Sequence, residues 1–165
     1  MTNNFDYTLN YDSLNLRLQP ELYRMGKGEQ GVLLVEPYKS EILPYWKFKT
    51  PADAKKSAAK IKNLFTAYKK QQDFVGMDMA RKFLQMGYTR SRRYANHASG
   101  KKYDGPVPEN KKGVSGAHGR KQLPLQPDLL KAESAQIFYE AWQKIKKDKF
   151  YCKKIEAYKK QFDKK

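Results

Sequence analysis

Residues 23 to 51, YRMGKGEQGVLLVEPYKSEILPYWKFKTP, decide what kind of fold this chain has. Three glycines open the stretch as a loop, an apolar run from Val32 to Val35 follows, and an aromatic segment runs from Tyr45 to Phe48. Short apolar runs bounded by glycine and proline read as strands. Upstream, Leu14, Leu16 and Leu18 alternate with polar residues, as in an extended segment with one buried face, until Pro20 interrupts it. These signals predict an N-terminal β-hairpin or small sheet.

The stretch ends on a helix start. Thr50 is an N-cap, Pro51 takes the first helical position, and Asp53 stands where an acid favours the first turn. Ala54, Ala58, Ile61, Phe65 and Tyr68 follow at spacings of four and three, one apolar stripe of a helix that runs to about Gln72. The lysines between them fall off the stripe and read as a solvated surface.

A second helix is expected from about Asp73 to Gln85, with Met77, Ala80 and Leu84 inward and Asp78, Arg81, Lys82 and Gln85 outward. Gly87 either caps this helix or lies inside a longer one, at a cost of about 1 kcal/mol relative to alanine. From Ser99 to Pro127 glycine, proline and lysine dominate without an apolar period, which predicts a long loop. Asp128 then caps a third helix with Leu130, Ile137, Phe138, Ala141, Trp142 and Ile145 as its stripe. After Asp148 the pattern repeats in Tyr151, Ile155, Tyr158 and Phe162 among seven lysines. That tail is a basic amphipathic helix, docked on the body or left to bind a partner.

The expected fold class is therefore α+β and helix-dominated: a small hairpin or sheet packed on three to four helices. Residues 1 to 147 form one domain with the basic loop 99 to 127, and residues 148 to 165 form the tail helix. At 165 residues, one compact core is the default.

Charge bounds the partner class. The chain carries 34 Lys and Arg against 17 Asp and Glu, for a net +17. Residues 1 to 50 hold six of each sign, so the whole excess lies after Thr50. Such a surface attracts polyanions, because neutralised phosphates release condensed counterions without any base being read. Nucleic acid is the leading partner, with an anionic membrane surface second and an acidic protein as another. Cys152 is the only cysteine, which excludes an internal disulfide and any multi-cysteine zinc module. No apolar run approaches the roughly 18 residues that span a bilayer, and the start lacks the layout of a signal peptide. A cytoplasmic protein without a cofactor is the expectation.

The binding residues are expected in and around residues 85 to 103, QMGYTRSRRYANHASGKKY. If the second helix passes through Gly87, Arg90, Arg93 and His97 share one stripe, with Tyr94 beside them. Arg81, Gln85, Tyr88 and Arg92 fall on a neighbouring stripe. Arginine forks pair with phosphates, and interleaved tyrosines stack on bases. Lys101, Lys102, Arg120 and Lys121 extend this face into the loop. Gly26, Lys27 and Gly28 form a candidate phosphate nest, although no P-loop signature accompanies them. A metal-dependent enzyme acting on nucleic acid or nucleotides is an alternative; it needs carboxylates to converge, with Glu29, Glu36, Glu41 and Asp78 as candidates. A structural or assembly protein binding an acidic partner is another. His97 and His118 stand without acids at ligand spacing, so no zinc site is expected.

Residues 23–51, DFVGMDMARKFLQMGYTRSRRYANHASGKKYD (73–104), SGAHGRKQLP (115–124) and KAESAQIFYEAW (131–142) resemble an uncharacterised domain-of-unknown-function family found in bacteria, algae and cyanophages. The resemblance covers most of residues 5 to 147. It implies a source such as a phage or bacterium, makes the 99–127 loop part of the domain, and implies no mechanism.

Overall fold

The computed structural model describes residues 3–97, 102–124 and 127–162. Among them it contains α1 (Tyr38–Ile42), α2 (Pro51–Lys70), α3 (Phe74–Asn96), α4 (Leu129–Lys146) and α5 (Lys149–Phe162), with short 3-10 turns between them. No strand occurs among the described residues, and the one β-type pairing is an isolated antiparallel bridge between Tyr103 and Gln122. The expected α+β fold with an N-terminal hairpin or sheet is thus corrected to an all-helical one.

The reason lies in how the apolar residues upstream of Thr50 are used. Val32 and Val35 are buried while Leu33 and Leu34 are exposed, the three-residue spacing of a helical turn; the Leu34 amide donates to the Gly31 carbonyl at 2.9 Å. At Leu14–Leu18 a turn on the Asn15 carbonyl replaces the alternation, so Leu16 is fully buried and Leu18 is 78% exposed. The aromatic segment does reach extended backbone at Trp46, but no strand lies beside it. Instead the Trp46 indole donates to the Phe83 carbonyl of α3 at 3.0 Å, and Phe48 packs on Trp46 and Tyr94. Extended geometry without a neighbouring strand makes a strap, not a sheet.

The helices follow their local signals closely. Thr50 accepts the Asp53 amide at 3.1 Å, and Ala54, Ala58, Ile61, Phe65 and Tyr68 are all buried on α2. Asp73 caps α3 and Asp128 caps α4 through their carboxylates. α3 continues through Gly87, and a β-carbon there would stand 2.4 to 2.7 Å from the Phe138 ring, so glycine is what admits α4 to close packing. Leu130, expected inward, is 62% exposed at the start of α4. Ile137 and Trp142 are partly buried against the core.

α3 is the axis of the molecule, packed on α4 and α2 and flanked by α1 and α5. Met77, Ala80 and Leu84 are inward as expected. Asp78, Arg81 and Lys82, expected outward, are buried too, because the N-terminal segment and α5 cover the face that an isolated amphipathic helix would leave wet. α5 is docked: Tyr151 is buried on α3, and the Tyr158 hydroxyl donates to the Tyr23 carbonyl at 2.6 Å.

Residues 102–124 form a stapled excursion. The Asp104 amide donates to the Lys121 carbonyl and the Leu123 amide to the Lys102 carbonyl, both at 2.8 Å. The two ends of the excursion meet at the end of α3. His97 Nδ1 lies 3.3 Å from the Pro124 carbonyl, and the Asp128 amide donates to the Ala95 carbonyl at 2.7 Å. Among the described residues no helix is long and apolar enough to cross a membrane.

Candidate functional site

The continuous helix through Gly87 gives Arg90 and Arg93 a common side of α3, one turn apart. Both are exposed, and both line a cleft of about 870 Å³ whose opposite wall is the loop. Lys102, Tyr103 and Arg120 contribute to that wall, as do Val107, Val114 and the backbone around Gly113 and Gly116. Among the described residues no carboxylate lines it. Such a cleft concentrates positive potential over a partly apolar floor, the arrangement that draws in a phosphate chain.

The other residues expected on this face are distributed differently. Arg92 is exposed but does not line the cleft, since a two-residue step turns a helical side chain by about 200°. Tyr88 packs against Tyr139 and Trp142 of α4, with ring centroids 5.2 and 6.0 Å away. Tyr94 meets Phe48 at 5.8 Å, with the Lys131 ammonium 6.0 Å from its ring. His97 is buried. The Arg120 guanidinium donates to the carbonyls of Ala117, Gly105 and Gly116 and lies 5.0 Å from the Tyr103 ring, so it shapes the wall as well as charging it. Lys121 is exposed on the same excursion, and Lys101 lies outside the described residues.

Arg81 sits in a buried cluster that charge patterning on a surface helix does not anticipate. Its guanidinium pairs with Asp78 at 2.7 Å and also donates to the Gly28 carbonyl and, at 2.8 Å, to Gln85 Oε1. The Tyr151 hydroxyl donates to Asp78 Oδ1 at 2.6 Å, and the Tyr23 hydroxyl donates to the other carboxylate oxygen. Burial alone would raise the Asp78 carboxyl, but Arg81, Lys82 and the two tyrosines outweigh it and hold the group below the ordinary aspartate value. Burial pushes the Lys82 ammonium down to about 7, against the pull of Asp78. Lys82 Nζ donates to the Met25 and Gln30 carbonyls at 2.6 and 2.7 Å, between the rings of Phe5 and Tyr23. The signal for this cluster is the i, i+3 pair Asp78–Arg81 beside Met77, Ala80 and Leu84, which leaves α3 with no uninterrupted polar face.

The glycine turn is fastened to this cluster. Gly26 and Gly28 occupy left-handed backbone with φ of 66° and 57°. Of the amides a phosphate nest would use, that of Gly26 donates to the Asn3 carbonyl at 3.0 Å and that of Lys27 to Gln30 Oε1 at 2.8 Å. The candidate carboxylates are dispersed. Glu41 binds Arg17 and Tyr68, Glu36 lies 3.9 Å from Lys39, Asp78 is in the buried cluster, and Glu29 accepts from the Thr89 hydroxyl. Among the described residues no group of three or more His, Cys, Asp or Glu side chains is placed to hold a metal ion.

These features define a helical domain wound on one central helix, with a basic cleft at that helix's C-terminal half. The chain belongs to the family described as Domain of unknown function (DUF4385), whose model matches residues 6–161. The match takes in the excursion and nearly all of α5. Comparison with curated proteins found no match, and neither did comparison with solved structures.

Proposed function

We propose that the protein binds nucleic acid through backbone phosphates in the cleft between α3 and the 102–124 excursion. The observation that carries this reading is the cleft's lining: Arg90, Arg93 and Lys102 converge with Arg120 on one concavity that, among the described residues, no carboxylate lines. Arginine forks in such a position take phosphate oxygens bidentately, and neutralising several phosphates releases counterions from the polymer. With Tyr88 and Tyr94 packed on other aromatics, base stacking falls to Tyr103 alone, and sequence preference is expected to be low. On this reading the protein acts in the cytoplasm, that of the host if the gene is a phage's.

Fluorescence anisotropy with single- and double-stranded DNA and RNA over a salt series tests the reading. Affinity should fall steeply and log-linearly with salt, and replacing Arg90 and Arg93 together should abolish most of it. Absence of binding at low salt to all four ligands would refute it. Gel filtration with and without nuclease separates the case of an acidic protein partner, whose association survives nuclease.

A further inference from the structure

The buried cluster and the cleft share α3, and the segment joining them is the glycine turn. Arg81 holds the carbonyl of Gly28, the residue before Glu29, and Lys82 holds the carbonyl of Gln30, the residue after it. Glu29 is thus pinned on both sides by backbone contacts to the same helix. Its carboxylate accepts the Thr89 hydroxyl through both oxygens, at 2.9 and 3.2 Å. Thr89 stands beside Arg90 and one turn before Arg93, the two arginines of the cleft.

We propose that Glu29 is a built-in counter-charge that competes with phosphate for Arg90 and Arg93 and so sets the affinity of the cleft. This rests on the cleft being an anion site, as argued above, and adds how its strength is limited. Three observations support it. The Glu29 carboxylate is hydrogen-bonded to Thr89, the residue next to Arg90 and one turn before Arg93, and against the penalty of burial the Thr89 hydroxyl, then Arg90 and Arg93, favour its ionised form. Partial burial opposes ionisation and raises its carboxyl above the ordinary glutamate value, so the charge is kept at a cost that a loop glutamate in water would not have. Arg81 and Lys82 fix the turn even though they are buried, where each donor needs a partner; carbonyls on either side of Glu29 supply those partners. Glu29 is a positioning residue: it touches Thr89 and acts on the ligand through the two arginines.

The test is Glu29→Gln in the full chain, beside Glu36→Gln, which makes the same change in net charge at a carboxylate paired with Lys39 away from the cleft. Two probes are used, a single-stranded oligonucleotide followed by anisotropy and inorganic tripolyphosphate followed by calorimetry. E29Q should bind both about threefold to tenfold more tightly than wild type at low salt, with the gap closing as screening sets in, while E36Q stays within about twofold. Thr89→Val, which frees the Glu29 carboxylate, should also move affinity. That readout shifts even if E29Q perturbs the turn. Equal or weaker binding by E29Q, or an equal gain in E36Q, overturns the inference while leaving the cleft as a phosphate site. Tighter tripolyphosphate binding by E29Q with no oligonucleotide binding by either protein keeps the inference and removes nucleic acid as the ligand. No binding of either probe by any variant overturns both.

Discussion

The two halves of α3 carry the same kinds of residue to opposite ends. Before Gly87, Arg81 and Lys82 are drawn inside, where Asp78, the Tyr151 hydroxyl oxygen, the Gln85 side chain and three backbone carbonyls meet them. After Gly87, Arg90 and Arg93 stay at the surface and look into a cleft. Helical spacing is the same in both halves. What separates them is whether the rest of the chain supplies acceptors: a buried cation needs every donor met, whereas an exposed one is left for a ligand. The first half makes a rigid axis, and the second uses it as a mount.

The sharpest way to break this contrast is Asp78→Asn. It keeps the volume but leaves Arg81 and Lys82 without a buried counter-charge, and should cost about 3–5 kcal/mol of unfolding free energy in urea titration. A loss below about 1 kcal/mol would mean that water reaches the cluster. Gly87→Ala strikes the junction of the halves. Its new methyl meets the Phe138 ring, so overpacking of about 1–3 kcal/mol outweighs the gain in helix propensity, and the melting temperature should fall.

An effect spread over several pH units separates the halves by pH. The folded pKa of Lys82 is depressed, to about 7, so above that value the unfolded chain binds the extra proton. Stability should therefore rise with pH from about 7 towards the ordinary lysine value near 10.4, by at most about 1.4 kcal/mol per pH unit. Lys82→Met should flatten this slope, and replacing Arg90 should leave it alone. The least effect on stability is expected at the surface. Arg90→Ala with Arg93→Ala should change it by no more than about 0.5 kcal/mol while weakening nucleic-acid binding at least about tenfold. Arg92→Ala should weaken binding by less than about twofold, and a loss as large as that of the double variant would move the ligand off the cleft.

Much of the helical frame is legible because its signals are local. Thr50, Asp73 and Asp128 are caps whose side chains lie within three residues of the amides they accept. Arg90 and Arg93 are legible for the same reason, since helical spacing alone puts them together. The residues before Thr50 are not legible in this way. An apolar run becomes a strand only if another strand lies beside it; here Val32 and Val35 are buried in the core at helical-turn spacing, and Trp46 covers α3 instead. Nor does amphipathic patterning describe α3, because it assumes one wet face. Apart from Arg81, three residues on from Asp78, the partners of Asp78, Lys82 and Glu29 come from residues 50 to 75 positions away, and that single i, i+3 pair is the one local sign of the cluster.

The excursion leaves α3 near His97 and returns to it near Asp128, where its ends are tied by the His97–Pro124 and Ala95–Asp128 contacts. That makes it an interchangeable wall: the body closes beneath it, and loop closure depends only weakly on the length enclosed. Relatives, or a protein engineer, can alter the length, charge and aromatic content of that wall while α2, α3 and α4 go on folding as they do here. Under the proposed function, ligand choice and stability can then evolve on separate segments of a single small domain.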